Sequence, residues 1–271
     1  MSELTNGRAN VPLAFMAIVV GNTNTRFAFF SGKNLTDSGR VGNAELNEVA
    51  KRAKAFRGDI SGGHSAIVIA SDNDPILQKL IGELEDAGIS DPYLIGRDLD
   101  IPIECALDAD ATPGQDRLLN ALAAWSVMDQ ACVVVDTGTA ITVDFVDGEG
   151  VFQGGVIAAG ATLSLKALHQ GTAALPELSL SDVPEGLVFG KNTRQAMLSG
   201  VLWAARGLVE KMVERYALEY GAYPPVVATG SDAELLMNGQ PVIDRIVPNL
   251  TLLGIELACR RALSTDSQVE E

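Results

Sequence analysis

Two stretches of the chain share one pattern of apolar and polar positions. Phe15 to Val20 is an unbroken apolar run, Gly21-Asn22-Thr23-Asn24-Thr25 is polar, and Phe27 to Phe30 is apolar again. Apolar run, Gly-Asn-Thr turn, apolar run predicts a β-hairpin with buried strands. Val133-Val134-Val135-Asp136-Thr137-Gly138-Thr139-Ala140-Ile141-Thr142-Val143 repeats the pattern. Laying Gly138 on Gly21 gives an offset of 117 residues, which sets Thr139 on Asn22 and Asp136 on Val19. A hairpin at the head of each half predicts a duplicated fold. The expected division is a flexible tail at 1–12, domains at 13–129 and 130–263, and a second tail at 264–271.

Between and after the hairpins, helical and strand periodicities alternate, which predicts an α/β class. Asn43 to Phe56 reads as a helix, and a Gly/Ser loop from Gly58 to Gly63 leads to the buried strand Ala66–Ala70. Asp74 is the expected cap of the next helix, with Pro75 in its first turn. Tyr93 to Gly96 reads as a short strand, and Asp98 to Pro113 as an acidic, solvated loop. A helix opens at Pro113-Gly114-Gln115-Asp116-Arg117. In the second half, Gly154 to Gly160 reads as a strand and Ala161 to His169 as a helix. Gly190-Lys191-Asn192-Thr193 precedes a long helix over about 194–216, with Met197, Val201, Ala204, Leu208 and Met212 as its buried stripe. Pro225 to Ser231 reads as a strand ending in a Thr-Gly turn, 232–237 as a helix start, and 250–263 as a closing helix.

Composition narrows the function classes. The chain has 271 residues, 47% of them hydrophobic and 20% charged, with a net charge of −15. Such an acidic chain does not suit a nucleic-acid surface. No apolar run approaches the ~18 residues of a membrane span. Met1 to Pro12 lacks the pattern of a secretion signal, so a cytoplasmic protein is expected. Cys105, Cys132 and Cys259 match no metal spacing and read as reduced thiols. With His64 and His169 as the only histidines, a histidine metal site or a serine–histidine triad has little support.

The candidate chemistry lies in the turns. Glycine at 21 lets backbone approach a ligand, and Asn22, Thr23, Asn24 and Thr25 carry amides and hydroxyls suited to phosphate oxygens. One such hairpin by itself reads as an ordinary Asn-rich turn. Two, facing across a cleft, could hold the phosphates of a nucleotide. Asp116-Arg117 also has two readings. One is an acidic charge at a helix N-terminus beside a surface arginine. The other is a carboxylate base beside a guanidinium that clamps a substrate anion.

The paired hairpins resemble those of the acetate and sugar kinase/actin superfamily, which implies two actin-like, ribonuclease-H-like domains with an interdomain cleft. From Ala17 to about Ala262 the ordered motifs resemble the type III pantothenate kinases. They are Gly21-Asn22-Thr23-Asn24-Thr25, Gly114-Gln115-Asp116-Arg117, Asp136-Thr137-Gly138-Thr139-Ala140, Gly154-Gly155 through Thr172-Ala173-Ala174-Leu175-Pro176, and Thr229-Gly230-Ser231. The resemblance implies ATP-dependent phosphorylation of pantothenate, the first step of coenzyme A synthesis. It implies Asp116 as the base and Gly114, Gln115, Asp116, Arg117 and Thr193 as the pantothenate contacts. Val19, Val20, Gly21, Asn22, Thr23, Asn24, Thr25, Arg26 and Thr139 fall at its ATP positions, and Asp136 at its monovalent-cation position, for potassium or ammonium. It further implies magnesium and a homodimer whose interface includes Gly154-Gly155.

The chain departs from the family pattern at several positions. Val19 stands where the family carries an aspartate that helps hold the nucleotide's metal. Cys105 stands where an aromatic residue is common, Ala159-Gly160 replaces Pro-Gly, and Ser231 replaces a second glycine. An active kinase with weakened metal binding is the leading expectation. The alternatives are a non-catalytic, ligand-binding regulatory homologue and a kinase for another small alcohol.

Overall fold

A computed structural model of the protein describes residues 14–59, 65–182, 186 and 188–269. The tail 1–12, most of the Gly/Ser loop and His64 lie outside the described residues. The chain forms two compact units, one ending at Asp100 and the other starting at Ile101.

In the first unit, β1 (Ala14–Val20) and β2 (Asn24–Ser31) make the expected hairpin, with Val19 opposite Arg26 and Val20 opposite Thr25. Strand β3 (Asn34–Gly42) adds an antiparallel edge. Its sequence is polar and its residues mostly exposed, so backbone pairing to β2 holds it rather than burial. That is why apolar patterning does not reveal it. Helix α1 (Leu46–Asp59) begins three residues later than expected, because Asn43 is committed to the hairpin, as described below. Strand β4 (Ser65–Ser71) runs parallel to β1, with Val19 beside Ala70. Helix α2 (Asp74–Asp86) is capped by Asn73, whose side chain accepts from the Ile76 N–H at 3.2 Å. Asp74 sits instead inside the first turn with Pro75, one place past the cap. Strand β5 (Tyr93–Leu94) completes the order β3-β2-β1-β4-β5. Leu46, Val49, Ala50 and Ala53 of α1 and Leu77, Leu80 and Leu84 of α2 pack on one face, with Met16, Ile18, Ile67 and Ile69.

The second unit repeats this plan. Helix α3 (Gln115–Met128) precedes β6 (Cys132–Thr137) and β7 (Ala140–Val146), which form the second hairpin. Strand β8 (Phe152–Ala159) pairs antiparallel with β7 and is followed by α4 (Ala161–Gln170) and the long α5 (Thr193–Tyr220). Strand β9 (Val226–Thr229) lies parallel to β6, α6 (Ala233–Met237) follows, and β10 (Arg245–Ile246) closes the order β10-β9-β6-β7-β8. Helix α7 (Leu250–Val269) continues through most of the segment read from sequence as a tail.

Read from its other edge, the second sheet has the same order of roles as the first. Asp136 pairs with Thr142 and Thr229 where Val19 pairs with Arg26 and Ala70. The sequence register that sets Asp136 on Val19 is therefore also the structural register. Helices α4, α5 and α6 pack on one face of the second sheet and α3 and α7 on the other. That packing puts α3, which sequence reading joined to the first half, in the second unit. The buried stripe of α5 is Val201, Ala205, Val209, Val213 and Ala217. Of the expected stripe, Met197 and Val201 are buried, Leu208 and Met212 are half-buried against the same core, and Ala204 alone is exposed.

Candidate active site

The first hairpin presents a short polar tip on a buried base. Val19 is 6% exposed, Val20 and Thr25 are buried, and Asn22 and Thr23 are exposed. Gly21 N–H donates to the Asn24 carbonyl at 3.1 Å and closes the turn. Asn43 braces it: its Nδ2 donates to the Gly21 carbonyl at 2.8 Å, and its Oδ1 accepts from the Thr25 hydroxyl at 2.9 Å. Asn73 Nδ2 donates to Asn22 Oδ1 at 2.9 Å, tying the tip to the start of α2. Thr25, expected among the phosphate contacts, spends its hydroxyl inside the fold. Asn43 and Asn73 are positioning residues that the sequence reading missed. Both lie in unremarkable polar segments, and only the fold brings them to the hairpin.

The second unit gathers the remaining candidates around α3. Gly114 caps this helix without a side-chain bond, and Asp116 lies in its first turn. Asp116 Oδ1 accepts from the Arg117 N–H at 2.7 Å. The Arg117 side chain turns to β7 and binds Asp144: Nε contacts both carboxylate oxygens, at 3.1 and 3.2 Å, and Nη2 donates to Oδ1. The side chains are 14% and 2% exposed. The guanidinium also lies over the Phe152 ring, 5.4 Å from its centroid. Burial drives the Asp144 carboxyl above its ordinary value, against the pull of Arg117. Burial lowers the Arg117 guanidinium, but the bond and charge of Asp144 outweigh it and leave the group raised and charged. Desolvation, with the Asp144 charge adding to it, pushes the Tyr216 phenol up to about 12, and its hydroxyl donates to the Val143 carbonyl at 2.9 Å. Asp144 was invisible as a candidate, although an aspartate inside Ala140-Ile141-Thr142-Val143-Asp144-Phe145-Val146 is itself a signal. A carboxylate in a buried strand needs a partner.

One turn beyond Asp116, Asn120 reaches the second hairpin and donates from Nδ2 to Asp136 Oδ2 at 2.9 Å. Thr139 is exposed at the tip of that hairpin. The tip packs closely on the start of α4. Gly160 N–H donates to the Thr139 carbonyl at 3.0 Å, and a Cβ at Gly160 would collide with the Gly138 and Thr139 carbonyls. Glycine is therefore required there, whichever residue precedes it. Thr193 starts α5, exposed and on an element separate from α3. Thus α3 brings together Asp116, Arg117 and Asp136, while Thr193 stands apart. All three cysteines are free thiols, Cys105 exposed and Cys132 and Cys259 buried. Burial pushes both buried thiols up to about 12. His169 accounts for itself locally, its Nδ1 lying 2.8 Å from the Leu175 carbonyl. No group of three or more His, Cys, Asp or Glu residues suited to a metal occurs among the described residues. Nor is any described helix long and apolar enough to cross a membrane.

Two five-stranded sheets of like order, each led by a Gly/Thr hairpin and with an Asp-Arg helix start in the second unit, define a duplicated two-unit α/β class. The family model of the type III pantothenate kinases matches residues 15–215, and the chain belongs to that family. It is 37% identical to the type III pantothenate kinase of Acidiphilium cryptum over 256 residues, covering 91% of this chain and 94% of that one. It is 32% identical to the Caulobacter vibrioides enzyme over 270 residues, covering 94% and 100%. Among solved structures, a Campylobacter jejuni protein of the Baf family of transcriptional activators has a similar fold. Its TM-score is 0.57 at 19% identity, covering 92% of this chain and 99% of that one.

Proposed function

We propose that the chain transfers the γ-phosphoryl group of ATP to the primary alcohol of pantothenate, in the first step of coenzyme A synthesis. The observation that best supports this reading is on α3. One helix carries Asp116 at its start and, a turn later, Asn120 bonded to Asp136 of the second hairpin. Phosphoryl transfer needs positioning and charge stabilisation more than covalent chemistry. Asp116 orients the alcohol and accepts its proton. Gly114, Gln115 and Arg117 hold pantothenate, with Nη1 left to a substrate carboxylate because Nε and Nη2 are committed to Asp144. Thr193 contacts pantothenate from the second domain or from the neighbouring subunit of a homodimer. The tip Gly21 to Asn24, with Arg26 and Thr139, holds the ATP phosphates, and Asp136 holds potassium or ammonium.

Magnesium, arriving with ATP, neutralises phosphate charge. The first hairpin does not supply the carboxylate that such an ion favours: β1 is apolar throughout and Val19 is buried. Val19 also favours the rival reading, a ligand-binding regulatory homologue. The test is to incubate the protein with ATP, magnesium, potassium and pantothenate and identify the product by mass spectrometry. Formation of 4′-phosphopantothenate is expected. Phosphorylation of a different small alcohol, with pantothenate untouched, would overturn the substrate assignment.

The homodimer reading draws on exposed apolar side chains, including Ile157 of β8 at 63% and Trp203 of α5 at 49%. Sedimentation velocity at micromolar concentration should give a dimer, and a monomer throughout that range would contradict it. A cytoplasmic enzyme accords with three free thiols.

A further inference from the structure

We propose that Asn120 Oδ1 and Thr229 Oγ1 complete, with Asp136, an oxygen-lined site for a monovalent cation. The proposal rests on the reading that Asp136 holds such an ion, and it assigns two further ligands. Asn120 is 2% exposed. Its Nδ2 donates to Asp136 Oδ2, which fixes the amide: turned over, it would set its carbonyl oxygen against a carboxylate. Oδ1 therefore points away from that bond. It is buried and meets no donor among the described residues. Thr229 is fully buried, and its Oγ1 likewise lacks a partner there.

These two oxygens lie on the same side of the sheet. Thr229 is the register partner of Asp136 across β6 and β9. Val134 and Val227, two residues earlier on each strand, are in the cluster with Ala121, Ala123 and Ala124 of α3. Strand alternation then puts Asp136 and Thr229 on the α3 face, where Asn120 is. The second Asp136 oxygen is approached closely by backbone. Gly230 has φ +105°, and a Cβ there would collide with Asp136 Oδ1 and the Thr137 carbonyl. A Cβ at Gly138 would lie 3.7 Å from the same oxygen.

Buried polar atoms without partners are rare in folded proteins, and two of them on residues tied to Asp136, one by a hydrogen bond and one by strand register, call for a shared cause. One carboxylate with an amide oxygen and a hydroxyl suits a large, weakly hydrated monovalent ion. A divalent ion demands more charge from its ligands. A buried water is the competing occupant, because it too could donate to both oxygens.

The experiment is thermal unfolding of the nucleotide-free protein across a KCl titration, with choline chloride holding ionic strength constant. It is run for the wild type, Thr229→Val, Asn120→Leu and Asp136→Asn. Thallium-205 NMR supplies a direct binding readout. Potassium should raise the melting temperature of the wild type. Thr229→Val, which keeps the side-chain shape, should unfold no earlier than wild type in choline chloride. Its potassium midpoint should rise by about tenfold or more, within the range for lost metal-site contacts. Asn120→Leu should shift the same way, and if it fails to fold, Thr229→Val decides alone. A wild-type potassium midpoint in Thr229→Val, with the response lost only in Asp136→Asn, overturns this proposal and leaves the Asp136 reading standing. A wild type that neither responds to potassium nor binds thallium overturns both and points to water.

Discussion

Asp116→Asn should lower turnover by about 10²–10⁴-fold, the range for a lost general base, while the protein stays folded. Asparagine keeps the side-chain oxygen that accepts from the Arg117 N–H, so the start of α3 has the same local bond. What disappears is a negative charge in the first helical turn, worth roughly 0.3–1 kcal/mol to the helix. The stability effect should therefore be small and the catalytic one large. The loss should fall on kcat, because an amide can still accept a hydrogen bond from the alcohol but cannot take its proton. Steady-state kinetics beside a melting curve separate the two. Unchanged turnover in a folded variant would remove Asp116 from the reaction.

Asp144→Ala should instead act on stability, by about 3–5 kcal/mol, because it leaves the buried Arg117 charge without its partner. The carboxylate takes two guanidinium nitrogens, and neither side chain is more than 14% exposed. Placing Met at 117 and Leu at 144 together should recover most of the loss, since apolar pairs of similar volume often replace buried ion pairs without penalty. That double variant would be stable but unable to hold a substrate carboxylate through residue 117. Urea unfolding of the three proteins gives the comparison. A single-variant loss under about 1 kcal/mol, the level of a solvated surface pair, would show that Arg117 is not anchored as described.

Legibility in the sequence followed burial. Both hairpins, β4, α2 and α5 stand out because one face, or a whole strand, is apolar, and their bounds fall within a few residues of expectation. Strand β3 escaped because hydrogen bonding rather than burial makes it a strand. The repeat register of Val19 and Asp136 was readable from the turn glycines alone, and strand pairing agrees with it. The bracing around the site was not readable. Asn43, Asn73, Asn120 and Asp144 matter through partners 22, 51, 16 and 27 residues away, and no local pattern marks such pairs. Polar residues in apolar segments are the available cue, as Asp144 within β7 shows.

Pantothenate-dependent ADP release, followed across a magnesium titration at saturating potassium, tests most directly whether this chain is a working kinase limited at Val19. Aspartate at 19 would sit in a strand buried on both sides of it, so Val19→Asp should destabilise the ligand-free protein somewhat. In return it should lower the magnesium requirement about 10–100-fold, the usual worth of such a contact. The wild type should turn over pantothenate, saturating only at high magnesium, with Val19→Asp saturating well below it. No pantothenate-dependent ADP at any magnesium concentration, from either protein, would contradict the kinase assignment and favour a ligand-binding regulatory protein.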